Sequence, residues 1–255
     1  MSHLVFQIAY DGTHYFGWQK TVYGPSIEEE LEKALQQIFQ EHISLQAASR
    51  TDRGVHAEGQ VVDCTTSKPC PDLNRLTVSL NQLLPSDIRC RRVIAAPSAA
   101  FHPTLDVVRK EYRYLIGTGS VLLPHHRHTH WHVHRPFNRS LLEASAQLFL
   151  GTHDFRGLCN RRADLDEENT IRTVFSINID EDKQKNEVSI SIEGDHFLYK
   201  MARNIVGTMM WAAQERLPLL TIQAALQTRQ RSLAGVTAPA CGLFLANVYY
   251  PMPLF

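Results

Sequence analysis

Residues 173–182 and 187–197 read TVFSINIDED and EVSISIEGDHF, two stretches of alternating apolar and polar side chains joined by a polar, charged turn. Alternation gathers the apolar groups on one face of an extended chain, and a short link folds the second stretch back beside the first. The second half of the chain is thereby expected to contain an antiparallel pair. The first half opens in the same manner, with LVFQIAYDG alternating up to an Asp-Gly turn signal. Further strands are read in ISLQAA, GQVVDCTT, IRCRRVIAA, KEYRYLIGTG and the closing GLFLANVYY. Ser26 opens a helix. Glu29 stands three residues on, as in a capping box, and Ile27, Leu31, Leu35, Ile38 and Phe39 recur at helical spacing. Other helices are expected over Leu73 to Leu84, stopped by Pro85, over Leu141 to Leu150, over FLYKMARNIVGTMMWAAQ (197–214) and over LTIQAALQT (220–228). Strand-helix-strand-strand order in both halves gives an α+β chain with antiparallel pairs and helices on one side. No repeat of fixed period is visible. LLPHHRHTH is the crossing between the halves, expected to span 1–120 and 121–255.

With 255 residues, 44% of them apolar, the chain can build one large domain or two small ones. No apolar run approaches the roughly 20 residues that span a bilayer. The N-terminus lacks the basic and apolar regions of a signal peptide, so a cytoplasmic protein with no membrane partner is expected. Five cysteines, an odd number without a CxxC pair, fit reduced thiols in that compartment. Lys plus Arg and Asp plus Glu each total 26, which argues against coating nucleic acid by charge alone. The charges are unevenly placed, however. SIEEELEKALQQIFQE is acidic, whereas IRCRRV, VVRKEYRY, NRR and YKMARN are basic. A neutral total is compatible with a positive cleft for a polyanion, and equally with ordinary solvated charges.

Few cofactor or metal signals emerge. His128, His130, His132 and His134 alternate and would share one face of a strand. No cysteine or carboxylate lies close in sequence and no HExxH occurs, so no metal is expected. There is no GxxxxGK[ST], no GxGxxG after a strand and no nucleophile elbow, so no nucleotide cofactor is expected either. What remains is SRTDRGVHA, where Asp52 lies between Arg50 and Arg53, and Gly54 permits a tight turn. One reading makes Asp52 a structural acid holding the turn through Arg50. In the other it is an ionised carboxylate, kept charged by flanking guanidinium groups and able to act as nucleophile, base or electrostatic stabiliser. Spacing leaves both open.

Eight blocks in order, over almost the whole chain, carry a resemblance. They are YDGTHYFGWQ, SRTDRGVHA, NQLLPSDI, KEYRY, HDF after a glycine, TIRTV, FLYKMARNIVG and GLFLANVYYP. The sequence resembles the TruA family of tRNA pseudouridine synthases. The resemblance implies a pseudouridine synthase fold, two ferredoxin-like α+β halves sharing a central antiparallel sheet with a cleft across it. It also implies isomerisation of uridine to pseudouridine in the anticodon stem-loop of tRNA, at positions 38, 39 or 40, by a homodimer without cofactor or metal. Residue by residue, Asp52 matches the family's catalytic aspartate, Tyr112 the ring stacked on the target uracil, and Arg203 the arginine that pairs with the aspartate. Arg50 matches the loop arginine that helps hold the nucleotide out of its helix, a step such an enzyme requires. Arg53, His56 and Lys200 are the further expected RNA-binding residues, and Phe197 and Leu245 match apolar pocket positions. Ser49 replaces the commoner glycine, Arg53 the commoner alanine and Thr104 a common arginine, so that a basic contact to RNA is either missing or supplied by Arg109. The rival class is a catalytically weak tRNA-binding or tRNA-folding module on the same scaffold.

Overall fold

The computed structural model describes residues 1–160 and 169–255. Arg161 and Arg162 of the basic NRR stretch lie outside the described residues. In chain order the strands and helices are β1 (Ser2–Tyr10), α1 (Ile27–Phe39), β2 (Gln46–Ala47), β3 (His56–Thr66), α2 (Leu73–Leu83) and β4 (Ile88–Ala95). They continue with β5 (Arg109–Gly117), β6 (Trp131–His132), α3 (Arg139–Gln147), β7 (Gly151–Asp154), β8 (Ile171–Asp182) and β9 (Glu187–Gly194). The last are α4 (Met201–Ala213), α5 (Leu219–Thr228) and β10 (Leu243–Tyr249). The chain is α+β, in two compact units: residues 1–110 with 244–255, and residues 111–243.

In the first unit the strand order is β4-β1-β3-β10. β1 runs antiparallel to β3 from Ser2↔Thr66 to Tyr10↔Ala57, and antiparallel to β4 on its other edge. β3 is buried along almost its whole length, as expected of a strand covered on both faces. Its far edge is shared. Near its start Phe244 and Leu245 of β10 lie parallel to His56 and Ala57, and further on β2 pairs antiparallel. The parallel β10 pair is an exception to the all-antiparallel sheet expected from sequence. ISLQAA forms only the two-residue β2, because pairing with β3 ends at Ala47↔Val62 and the chain turns into the Asp52 loop.

The face of α1 read from sequence is the buried one, with Ile27, Leu31, Leu35 and Phe39 inside. Each such side chain contributes about 1.5–3 kcal/mol on leaving water. The capping box forms by half. Ser26 Oγ accepts from the Glu29 amide at 3.3 Å, but the Glu29 carboxylate turns to Lys33 Nζ at 2.9 Å. A second apolar cluster joins Val5, Val61, Phe101 and Val107 to Tyr250, whose hydroxyl donates to the Pro103 carbonyl at 2.7 Å.

All five cysteines are free thiols. Burial pushes the Cys64 and Cys90 thiols up to about 12, and both side chains are closed to solvent. In the folded protein at about pH 8, iodoacetamide is expected to spare these two and to label them only in denaturant. Peptide mass mapping reads the outcome, and labelling of Cys64 as fast as the partly exposed Cys159 would contradict it.

In the second unit β8 and β9 form the expected hairpin, from Asp182↔Glu187 to Val174↔Gly194, and β9 alternates strictly between buried and half-buried positions. β5 lies beside β9, and β7 extends β8 antiparallel. The helix expected over 197–214 begins only at Met201, because Lys200 adopts a left-handed conformation (φ 60°) that no α-helix can propagate. From there α4 is buried almost all round. No described helix is long and apolar enough to cross a membrane.

Candidate functional site

The Asp52 loop is braced by the residues around it. Thr51, mostly buried, hydrogen-bonds through its hydroxyl to Tyr10 Oη at 2.7 Å, and its carbonyl accepts from the Trp18 amide at 3.0 Å. Gly17, at φ +105°, sits so near that a Cβ there would lie 2.7 Å from the Thr51 carbonyl. Ser49 is clamped at both polar backbone groups. Its amide donates to Gln60 Oε1 at 3.2 Å, and its carbonyl accepts from Gln60 Nε2 at 2.6 Å. After Asp52, the Val55 amide returns to the Asp52 carbonyl at 3.1 Å, and Gly54 takes φ +75° to close the turn. The Asp52 side chain is half-buried, between the exposed Arg50 and Arg53. The Arg53 guanidinium lies 4.1 Å from the centre of the Phe16 ring. This contact orders a long side chain and is worth about 0.5–1 kcal/mol at an exposed position.

His56 is 1% exposed. Its Nδ1 accepts from the Gly12 amide at 3.1 Å, and its ring stacks on Phe244 at 4.6 Å. A Cβ on Gly12 would stand 2.0 Å from the Val55 carbonyl, so glycine is required where β1 ends against this loop. The Asp11 amide donates to the Asp87 carbonyl at 2.9 Å, and the Tyr15 hydroxyl to Asp87 Oδ1 at 2.7 Å. YDGTHYFGWQ and NQLLPSDI are therefore neighbours. Burial, then the bond to Asp87, raises the Tyr15 pKa, so the hydroxyl stays a donor. Leu245 is fully buried opposite Ala57. Thr104 donates its hydroxyl to the Ala47 carbonyl at 2.8 Å, and the Arg109 guanidinium lies 4.2 Å over the Tyr249 ring.

In the second unit Tyr112 and Phe197 come together. Their ring centres are 4.9 Å apart at 75°, edge to face, and Tyr112 is 6% exposed. Lys200 places its ammonium 4.9 Å over the Tyr199 ring. Arg203, on the first turn of α4, donates from Nε to the Ala238 carbonyl at 2.8 Å, while the Ala238 amide donates to the Arg203 carbonyl at 3.1 Å. Tyr114 donates its hydroxyl to Pro239 O at 2.7 Å. Burial holds its pKa well above the ordinary tyrosine value.

The four alternating histidines do not share a strand face, because β6 spans only Trp131–His132. His132 Nε2 contacts the Gly119 carbonyl at 2.8 Å, and His130 Nε2 contacts Glu187 Oε2 at 2.7 Å.

Sequence reasoning missed the supports: Gln60, Thr51, Phe16 and the Ala238 carbonyl. Of these only Gln60 left a signal, as a fully buried polar residue set in the apolar run of β3.

Comparison with known proteins first sets the class. The family pattern described as tRNA pseudouridine synthase matches residues 7–106 and 145–251. The chain belongs to that family, whose members are isomerases that convert uridine to pseudouridine in tRNA. Similar proteins include tRNA pseudouridine synthase A 2 of Protochlamydia amoebophila (strain UWE25), 46% identical over 250 residues, covering 98% of this chain and 95% of the relative. tRNA pseudouridine synthase A 1 of the same organism is 40% identical, covering 95% of this chain and 94% of the relative. tRNA pseudouridine synthase A of Thermoanaerobacter sp. (strain X514) is 34% identical, covering 98% and 100%.

Proposed function

We propose that this chain isomerises uridine to pseudouridine in the anticodon stem-loop of tRNA, at positions 38, 39 or 40, with Asp52 as the catalytic carboxylate. The observation that carries the residue assignment is the Asp52 loop itself. Thr51 and Ser49 are each tied to the scaffold by hydrogen bonds, Val55 closes the turn onto the Asp52 carbonyl, and the carboxylate side chain stands half-buried in the loop. Such support fixes a reactive group before substrate arrives, which is where proximity yields its largest rate gains.

The reaction breaks the bond from C1′ to N1, turns the uracil, and joins C1′ to C5. C5 gives up a proton and N1 gains one, so nothing is oxidised and no group leaves. A carboxylate, a flat stacking ring and a compensating cation are the groups this chemistry asks of the protein. In the proposal Asp52 acts on the sugar or the base, Tyr112 stacks on the detached uracil and Arg203 is the cation. A stacked base is held by about 1–3 kcal/mol. Phe197, set edge-on against Tyr112, fixes the angle of that ring. His56, buried at the start of β3, follows the Asp52 loop directly, and Leu245 is buried beside Ala57. Arg50, Arg53 and Lys200 face the phosphates of an extruded nucleotide. The enzyme acts as a cytoplasmic homodimer in this reading.

Mapping pseudouridine in tRNA from cells with and without the protein tests the proposal. Loss at positions 38–40 is expected. Loss confined to another region of tRNA would overturn the position, and an unchanged map would overturn the activity. For Lys200→Ala, tRNA binding is expected to weaken alike for all substrates, with the salt slope smaller by about one. Filter binding at several salt concentrations reads this, and a loss confined to one tRNA would contradict a phosphate contact.

A further inference from the structure

The segment that enters β6 carries a donor set that the isomerisation does not use. Pro124–His126 form a short helical turn, and the amides of Thr129 and His130 both return to the His126 carbonyl at 3.0 Å. This α-turn places positions 126 and 130 on one side. Their imidazoles stack with centres 4.2 Å apart and planes 9° from parallel. His130 is nearly closed to solvent, and its Nε2 faces Glu187 Oε2 at 2.7 Å, while its Nδ1 is 2.9 Å from Thr129 Oγ1. The donor atoms of His126, His130 and Glu187 lie within 4.8 Å of one another.

We infer that His126, His130 and Glu187 form a binding site for one divalent transition-metal ion of the zinc class. Two imidazole nitrogens and one carboxylate oxygen suit such an ion with water in the remaining position, whereas calcium and magnesium require mostly oxygen donors. Two features make the set more than three neighbouring polar groups. His130 and Glu187 come from elements 57 residues apart, so the donors converge across the fold. The Thr129 hydroxyl also occupies the nitrogen of His130 that would not bind metal, the second interaction that ligating histidines ordinarily have. Ligation asks the hydrogen bond between His130 Nε2 and Glu187 Oε2 to lose its proton and widen around the ion, and the half-exposed His126 ring to leave the stack.

The position of the set determines its role. Tyr112 meets Phe197 near the middle of β5, and Gly117 and Thr118 meet His132 and Asn186 at its far end. The five steps from Tyr112 to Gly117 span about 17 Å of strand. The ion therefore fastens the segment leading into β6 to the start of β9 and takes no part in the chemistry. The inference is independent of the proposed tRNA position.

The test is a titration of tag-free, metal-stripped full-length protein with zinc chloride against a chromophoric chelator. One equivalent is expected to bind with a dissociation constant of about a micromolar or tighter. His126→Ala and Glu187→Gln are each expected to weaken binding by about tenfold or more, and His134→Ala to leave it unchanged. X-ray absorption on the zinc-loaded protein is expected to show two nitrogen ligands at about 2.0–2.1 Å. Failure to bind one equivalent, or equal binding by wild type and both ligand variants, would overturn the site. Using the conservative Glu187→Gln beside His126→Ala keeps the test valid if one variant folds poorly.

Discussion

Replacing Asp52 by Asn is expected to abolish pseudouridine formation while tRNA affinity changes little. Asn keeps the volume of Asp and can still accept a hydrogen bond, but it has no negative charge. The bonds that hold the loop pass through its neighbours: Thr51 to Tyr10, Ser49 to Gln60, and Val55 to the main-chain carbonyl of Asp52. None of these three passes through the carboxylate, and a melting temperature close to that of the wild type is the control that the loop stays folded. If the carboxylate attacks, accepts a proton or stabilises developing positive charge, the turnover number falls by more than about a thousandfold. Binding rests mainly on phosphate contacts and stays within about tenfold. Single-turnover assays with saturating enzyme separate the two effects. Product at a sizeable fraction of the wild-type rate would return Asp52 to the role of a structural acid. Binding without turnover is the expected result; if wild type behaved the same way, the chain would be the tRNA-binding module that sequence left as a rival.

What the sequence disclosed, and what it withheld, divides along the distance over which a feature is specified. The β8–β9 hairpin was legible because alternation and the polar turn are both local, and β9 buries alternate residues along its length. The buried face of α1 was legible for the same reason. β7 was not. GTHD is too short to show a period, and it is a strand because β8 offers it an edge. β10 was visible as a strand, but its parallel partner was not, since Phe244 meets His56, 188 positions earlier in the chain, and no local pattern records that choice. The start of α4 was misplaced because FLYK is apolar enough to extend a helix, and nothing about a lysine announces a left-handed backbone. For the candidate residues the asymmetry is similar. Asp52, Tyr112 and Arg203 stand in recognisable blocks, whereas Gln60, Phe16 and the Ala238 carbonyl, which hold such groups in place, are ordinary residues whose value depends on the fold.

Gly207→Ala is expected to destabilise the second unit, although alanine is the better helix former. A Cβ on Gly207 would lie 1.8 Å from the Val236 carbonyl oxygen and 3.1 Å from the Ala238 nitrogen. Both are backbone atoms, so no side chain can swing aside, and the segment 235–238 must lift off α4. That segment is held by several bonds at once. Gly235 N donates to Thr208 Oγ1 at 3.0 Å, Thr237 Oγ1 to Asn204 Oδ1 at 2.6 Å, and Arg231 to Asn204 Oδ1 and to the Gly235 carbonyl. The bonds between Arg203 and Ala238 complete the seam. Alanine gains about 1 kcal/mol over glycine within a helix. Overpacking costs about 1–3 kcal/mol, and each buried bond lost adds about 1 kcal/mol. With two of these bonds lost, the net destabilisation is about 2–4 kcal/mol, or a melting temperature lower by about 2–4 °C for each kcal/mol in a chain of this size. Arg203 loses its Ala238 carbonyl partner, so on its proposed role the turnover number of the fraction that remains folded is expected to fall more than tRNA affinity does. Thermal unfolding together with kcat and KM measured well below the melting range checks both halves. A Gly207→Ala protein as stable and as active as wild type would show that the 235–238 segment yields freely and does not position Arg203.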